Sequence, residues 1–341
     1  FRFMALLRKF LFPFSLIYFL ITYSRNILFD LGVLKSKYFN TPLIGIGNLS
    51  SGGTGKTPLV EYIFRNFSKD FNLALLSRGY KRDGSGYFKA DAKSSPNLLG
   101  DEPYQIYNKF KNVEVAVDEN RVRGVENLIK ENPDLHSVVL DDCFQHRYVS
   151  CKLNILLSTY SAPFFKDYLL PMGNLRESSI GCKRADVIII TKCPVELNSK
   201  QINIFRNSFQ LKKNQSLFFT TIEYNNTLLG KATIEIEELK QSKVLLVTGI
   251  ANTLSILNFM TNKNIDFEHI SFSDHHNYSL PEIETIEKKY FDRVVITTEK
   301  DYKKIKNLDL KNHLYYLEIK TKFLNNGGES FNKIIKETLI S

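Results

Sequence analysis

Cysteine is scarce and scattered in this 341-residue chain. The four cysteines, Cys143, Cys151, Cys182 and Cys193, include no C-x-x-C pair. A structural zinc site wants such close pairs, so free thiols in a reducing compartment are expected instead. An arginine-rich arm is also lacking. The net charge of +10 therefore points to an anionic partner without favouring nucleic acid. Fixed-period repeats and low-complexity tracts are absent as well.

No apolar run is long enough to cross a membrane comfortably. The longest is FLFPFSLIYFLITY, Phe10 to Tyr23. As a helix it reaches about 21 Å, against a hydrocarbon core of about 30 Å. Extending it to Phe29 brings in Arg25 and Asn26. No A-x-A-like cleavage site follows, so a secretory signal is disfavoured. Arg8 and Lys9 precede the run. Two readings stand: a helix that dips into one leaflet with basic flanks at the headgroups, which we favour, or a buried core helix.

What is present is ordinary for a globular protein: 43% apolar and 24% charged residues, in a length that suits two α/β domains. PLIGIGN (42–48), FNLALLSRG (71–79), VEVAV (113–117), HSVVLDD (136–142), LNILLS (153–158) and ADVIIITK (185–192) are β-branched, nearly continuous apolar runs. Strands of a parallel sheet covered on both faces look like this. Helical stretches between them predict a doubly wound domain over 31–215. Two alternating runs across 216–240 predict a two-stranded linker. KVLLVTGIAN (243–252) and DRVVITTEKD (292–301) restart the rhythm, predicting a smaller α/β domain over 241–341.

GNLSSGGTGKTP lies between a predicted strand and a predicted helix. The phosphate-loop pattern G-x-x-x-x-G-K-[ST] fits from Ser50 to Thr57, with Ser50 in place of the first glycine. Gly52, Gly53, Thr54 and Gly55 supply backbone N–H groups at a helix N-terminus. Lys56 reaches phosphate oxygens, and the Thr57 hydroxyl suits Mg²⁺. The bland alternative is a glycine-rich turn capping a helix. A phosphate loop needs a metal-holding acid at a nearby strand end, and SVVLDD offers Asp141 and Asp142; otherwise they form a solvated turn. Guanine readers carry N-K-x-D after a late strand. Here Thr191-Lys192-Cys193-Pro194 lacks the aspartate, which favours ATP. Partitioning-type ATPases carry a lysine just before Gly-Gly, where this chain has Ser51. GDEP (100–103) reads by itself as a helix start, with acids at the cap and Pro103 in the first turn.

Six islands occur in order: GNLSSGGTGKTP, LSRGYKR (76–82), GDEP, LDDCFQHR (140–147), LLPMGNLRES (169–178) and FSDHHNY (272–278). Together they resemble the tetraacyldisaccharide 4′-kinase family, over nearly the whole chain. The resemblance implies a P-loop NTPase-like α/β/α sandwich, a second smaller α/β/α domain and a two-stranded linker. It implies transfer of the ATP γ-phosphoryl group, with Mg²⁺, to the 4′-hydroxyl of a tetraacylated glucosamine disaccharide 1-phosphate. The setting it implies is the cytoplasmic face of the inner membrane, with residues 1–30 as a membrane-associating segment and no obligate protein partner. It assigns Asp101 as catalytic base and Glu102 as its neighbour at the metal. His275 is the histidine that pairs with Asp101, with His276 as the lesser candidate. Arg176 steadies transferring phosphate charge, and Glu177 holds Mg²⁺ directly or through water; alone, the two would read as a surface salt bridge. Arg78 either binds phosphate or holds its loop. Gln145 and His146 complete their motif without a clear role. Cys143 departs from the small residue usual after the two aspartates. A membrane-anchored P-loop ATPase switch is the alternative from another class; it would release free phosphate and does not require the GDEP and DHH motifs.

Overall fold

The computed structural model describes residues 8–250, 252–274, 276–306 and 314–340. The chain divides into two compact units. The first holds residues up to Ile222 together with those from Thr321 onward, and the second runs Glu223–Lys320.

The first unit opens with helix α1, Phe12–Asp30. It continues with β1 (Leu43–Asn48), α2 (Lys56–Phe67), β2 (Leu73–Ser77), β3 (Phe88–Lys89), α3 (Pro96–Leu99), α4 (Asp101–Lys109), β4 (Glu114–Val117), α5 (Arg121–Glu131), β5 (Ser137–Asp141), β6 (Leu153–Thr159), β7 (Val187–Thr191), α6 (Ser199–Phe209) and β8 (Ser216–Tyr224). The second unit contains β9 (Thr227–Gly230), β10 (Thr233–Glu235), β11 (Val244–Thr248), α7 (Leu254–Asn262), β12 (Phe267–Ser271), α8 (Leu280–Lys289), β13 (Val294–Thr298), α9 (Glu299–Ile305) and β14 (Leu314–Leu317). The chain returns to the first unit through β15 (Ile319–Phe323) and ends in α10 (Gly327–Ile340).

Among the described residues, the first unit's sheet has the order β15-β8-β7-β6-β1-β5-β2-β4-β3. β1 pairs in parallel with β5 and β6. The other pairs from β2 to β8 are also parallel, and β3 is antiparallel to β4. Successive side chains of a strand face opposite ways, so a sheet covered on both sides needs apolar residues at every position. Ile44, Ile46, Leu75, Val139, Ile155 and Ile189 pack on one face against Leu59, Ile63 and Phe64 of α2 and Phe331 and Ile335 of α10. Their neighbours Leu43, Leu76, Val138 and Leu140 pack on the other face with Val125 and Leu128 of α5. Leu156, Ile188 and Ile190 also lie there, with Phe205 and Phe209 of α6. Each fully buried side chain of this size contributes about 1.5–3 kcal/mol.

The second unit's sheet has the order β10-β9-β14-β13-β11-β12 among the described residues. Its β11, β12, β13 and β14 pair in parallel, while β9 is antiparallel to β14 and β10. Val244 and Leu246 pack with α7, and Leu245 and Val247 with α8 and α9.

Two expectations are corrected. The linker read over 216–240 is not a local pair: β8 leaves the first unit, but its sheet neighbour is β15, which comes far later in the chain. Thr227–Glu235 instead forms an edge hairpin of the second sheet. Alternation reveals a strand but not its partner. The expected C-terminal domain also ends too late, because the segment from Thr321 belongs with the first unit. Phe331, Ile335 and Leu339 complete the core against α2.

The core-helix reading of the N-terminal run is set aside. Only 11% of the most apolar window of α1 is buried. Phe14, Ile17, Leu20 and Ile21 are exposed. Its polar side chains face the protein instead: Ser15 Oγ donates to Leu169 O (3.2 Å), Tyr18 OH to Arg176 O (2.8 Å) and Asn26 Nδ2 to Glu177 Oε2 (2.9 Å).

Candidate active site

The site begins where β1 stops. Gly47 abuts Phe144: a Cβ there would lie 2.6 Å from the Phe144 Cβ and 2.8 Å from its backbone nitrogen. That close approach brings the DDCFQH turn against the end of β1. Gly55, at φ 90, is the N-cap of α2 and turns the loop into the helix. Behind the loop, Ser51 N–H donates to Asn174 O (2.8 Å) and Arg176 N–H to Leu49 O (2.8 Å). GNLSSGGTGKTP and LLPMGNLRES are thus packed together.

Lys56 Nζ donates to Asn48 Oδ1 (3.3 Å) and lies 3.5 Å from Asp142 Oδ1. Arg176 donates to both Asp142 oxygens, at 3.0 and 2.9 Å. Burial alone would raise the Asp142 pKa, but the charges of Lys56 and Arg176 outweigh it and hold the carboxyl below its usual value. Asp142 also takes a left-handed backbone, φ 50, unusual for a non-glycine residue.

Asp141 behaves oppositely. Its residue is only half-buried, yet its Oδ1 is enclosed and without a hydrogen-bond partner. Desolvation, with the charges of Asp142 and Glu102 adding to it and that of Lys56 opposing, pushes its pKa up to about 6. A small pocket gathers Thr57, Glu102 and Asp141, floored by Val60, Leu75 and Ile106. A hydroxyl and two carboxylates, one with an orphaned buried oxygen, form an oxygen donor set of the kind that suits Mg²⁺. The residues present fit that ion.

Asp101 and Glu102 lie in the first turn of α4, where negative charge is favoured by the helix dipole. The helix start read from GDEP therefore coexists with the site. Arg121 is buried behind Asp141 and donates to its carbonyl (3.1 Å). His146 is depressed to about 4 by burial, and by the charges of Arg121 and Arg78, so it is neutral at pH 7.

Glu177 is in a different position from the one expected. It is 3% exposed. Its carboxylate accepts two bonds from Arg184 (both 2.9 Å), one from Gln145 Nε2 (3.0 Å) and one from Asn26 Nδ2 (2.9 Å). An ion there would have to displace an arginine. Glu177 instead ties α1 to the site. Gln145 also donates to Asn48 O (3.0 Å), linking that anchor to the phosphate loop.

His275 lies outside the described residues. In the second unit, His276 is engaged: its Nε2 lies 3.1 Å from Glu282 Oε1 and its ring stacks on Phe272 at 4.6 Å. The sequence reading missed Asn48, Arg121 and the contacts of Thr191 and Lys192. Only the asparagine ending a strand beside the loop carried a signal.

The model of the tetraacyldisaccharide-1-P 4′-kinase family matches residues 7–339. This chain belongs to that family. Kinase relatives share nearly its whole length: the tetraacyldisaccharide 4′-kinase of Flavobacterium johnsoniae is 45% identical, covering 98% of this chain and 99% of that protein. That of Bacteroides thetaiotaomicron is 40% identical, covering 96% and 92%. Among solved structures, the "apo" form of LpxK from Aquifex aeolicus in complex with ATP is 30% identical, with a TM-score of 0.78. That similarity covers 98% of this chain and 99% of that one. The parallel α/β architecture is the one this 4′-kinase family uses.

Proposed function

We propose that this protein transfers the γ-phosphoryl group of ATP to the 4′-hydroxyl of a tetraacylated glucosamine disaccharide 1-phosphate, a step of lipid A biosynthesis. One observation carries the reading: a phosphate loop whose Lys56, with Arg176, neutralises Asp142, beside an Asp141 carboxylate with one orphaned buried oxygen, grouped with Thr57 and Glu102.

Each residue then has a role. The loop amides and Lys56 hold the ATP phosphates. Thr57, Asp141 and Glu102 would hold Mg²⁺, which when bound would neutralise phosphate charge and orient the transferring group. Asp142 keeps Lys56 and Arg176 in place, and Arg176 supplies positive charge to the transferring phosphoryl group. Asp101 accepts the proton of the 4′-hydroxyl as the new O–P bond forms and the bond to ADP breaks. A sugar hydroxyl is a poor nucleophile, which is why the base is needed.

The acceptor carries four acyl chains and stays in a membrane. The exposed apolar side of α1 lies against that membrane, with its polar side pinned beside the site. We place the enzyme on the cytoplasmic face of the inner membrane.

The test uses γ-labelled ATP, Mg²⁺ and detergent-dispersed tetraacyldisaccharide 1-phosphate. Label is expected in the lipid, falling at least a hundredfold with Asp101→Ala, the usual contribution of a general base. Label found only as free phosphate, unchanged in Asp101→Ala, would overturn the reading in favour of an ATPase switch.

A further inference from the structure

The end of β7 reaches two strands across the sheet to the phosphate loop, because β6 lies between β7 and β1. Thr191 Oγ1 donates to Thr54 O at 2.7 Å and lies 3.3 Å from Ser158 O. Lys192 Nζ donates to Gly53 O at 2.7 Å. Thr191 is buried, and a Cβ on Gly55 would meet its side chain at 3.6 Å. Lys192 is half-buried and takes a left-handed backbone, φ 56, which lysine rarely adopts.

A peptide unit is planar and trans, so its C=O and N–H point in opposite directions. Fixing the Gly53 carbonyl fixes the direction of the Thr54 N–H, and fixing the Thr54 carbonyl fixes that of the Gly55 N–H. These amides belong to the set that receives phosphate in a loop of this kind. The Thr54 N–H meanwhile donates to Gly52 O (3.0 Å) inside the loop. Gly52 and Gly53 make the loop the most permissive backbone in the site. Two side-chain clamps on consecutive carbonyls limit that freedom.

We propose that Thr191 and Lys192 are positioning residues for the nucleotide: by holding the Gly53 and Thr54 carbonyls back, they restrict the loop to conformations near the one that receives a nucleoside triphosphate, the Thr54 N–H exchanging its bond to Gly52 O for one to phosphate. The same Thr-Lys pair stands where guanine readers carry their base-reading motif, without its aspartate. Here the lysine is turned to the loop. The inference rests on the kinase reading only in taking the loop as an ATP site.

Two properties separate positioning from plain structural support. Burial lowers the Lys192 pKa, so its ammonium is held at a cost to the nucleotide-free protein. Methionine keeps the chain length without the charge. The full-length protein with Lys192→Met should therefore melt no lower than wild type while binding ATP more weakly.

The experiment measures binding of a non-hydrolysable ATP analogue with Mg²⁺ by calorimetry, together with KM for ATP, KM for the lipid and kcat. Lys192→Met and Thr191→Val should each weaken nucleotide binding about tenfold, the usual effect of removing one buried hydrogen bond. The loss should appear in KM for ATP more than in kcat, with KM for the lipid unmoved and Lys192→Arg close to wild type. Unchanged nucleotide affinity in both variants would overturn the proposal. So would a lower melting temperature with all kinetic constants falling together, which marks a merely structural contact. If the wild type binds the analogue but never labels lipid, the kinase reading fails, while the clamp is still judged by the binding data.

Discussion

At the scale of single residues, the neighbouring aspartates show how position sets protonation. Asp142 meets Lys56 and Arg176, and its pKa falls; Asp141 is desolvated, and its pKa rises to about 6. The signs differ in consequence. Asp142 stabilises the fold above its unfolded pKa, and that contribution is lost as pH falls through its depressed folded value. The folded state holds the Asp141 proton more tightly than the unfolded chain, whose value is near 3.8. The stability from Asp141 is therefore full below about pH 4 and is lost as pH rises through about 6, by up to about 3 kcal/mol. Asp141→Asn should raise the melting temperature at pH 7 in the absence of Mg²⁺, while kinase activity falls at least a hundredfold. Calorimetric scans from pH 4.5 to 7.5 check this: the stability gap between variant and wild type should widen with pH. A constant gap would mean that Asp141 does not titrate there.

The cysteines carry a residue-scale prediction as well. Cys143, Cys182 and Cys193 are buried. Burial raises the pKa of Cys182, and that of Cys193 to about 12; a hydrogen bond with Cys151, together with burial, raises that of Cys143. Cys151 is partly exposed. Because the thiolate is the reactive form, iodoacetamide at pH 8 should label Cys151 before the other three in the native protein. Peptide mass mapping reads the order directly.

At the scale of the element, α1 turns its polar side inward and its apolar side outward. It is held by directed polar contacts; Arg147, for example, donates to Asn26 O (2.9 Å) and Asp30 Oδ1 (2.6 Å). Replacing exposed Phe14, Ile17 and Ile21 together with glutamine removes apolar surface while keeping helix propensity. Partitioning onto vesicles of an anionic lipid mixture should drop at least tenfold, with the melting temperature within about 2 °C of wild type. Co-sedimentation measures the first and thermal unfolding the second. A large fall in melting temperature would mean that these side chains pack against protein.

At the scale of the whole molecule, the +10 charge acts over distance. Attraction to an anionic surface is screened as the Debye length shrinks from about 10 Å at 0.1 M salt to about 3 Å at 1 M. Vesicle binding of the wild type should fall across that range but persist, because apolar burial is not screened. The glutamine triple variant should lose binding almost completely at 1 M salt. Equal salt sensitivity to zero in both proteins would assign the surface contact to charge alone.

Much of this protein was legible in its residues. Nearly continuous apolar runs announced β1, β2, β4, β5, β6 and β7, because a strand buried on both faces has no polar position to spare. Ser50 to Thr57 announced the phosphate loop, because few backbones other than a glycine-rich turn before a helix wrap a phosphate. GDEP and LDDCFQH marked the acids at element ends. These are local signals, carried by residues close together in the chain. The tertiary structure decided what depends on residues far apart. β8 found β15 as its neighbour, and α10 returned to cover α2, because strand partners and core contacts are chosen by the packing of the whole sheet. Glu177 became an anchor for α1 rather than a ligand because Arg184, Asn26 and Gln145 converge on it in space. Thr191 and Lys192 met the phosphate loop for the same reason: a hydrogen bond spanning 137 or 139 positions leaves no trace in the order of the residues, only in the fold that brings them together.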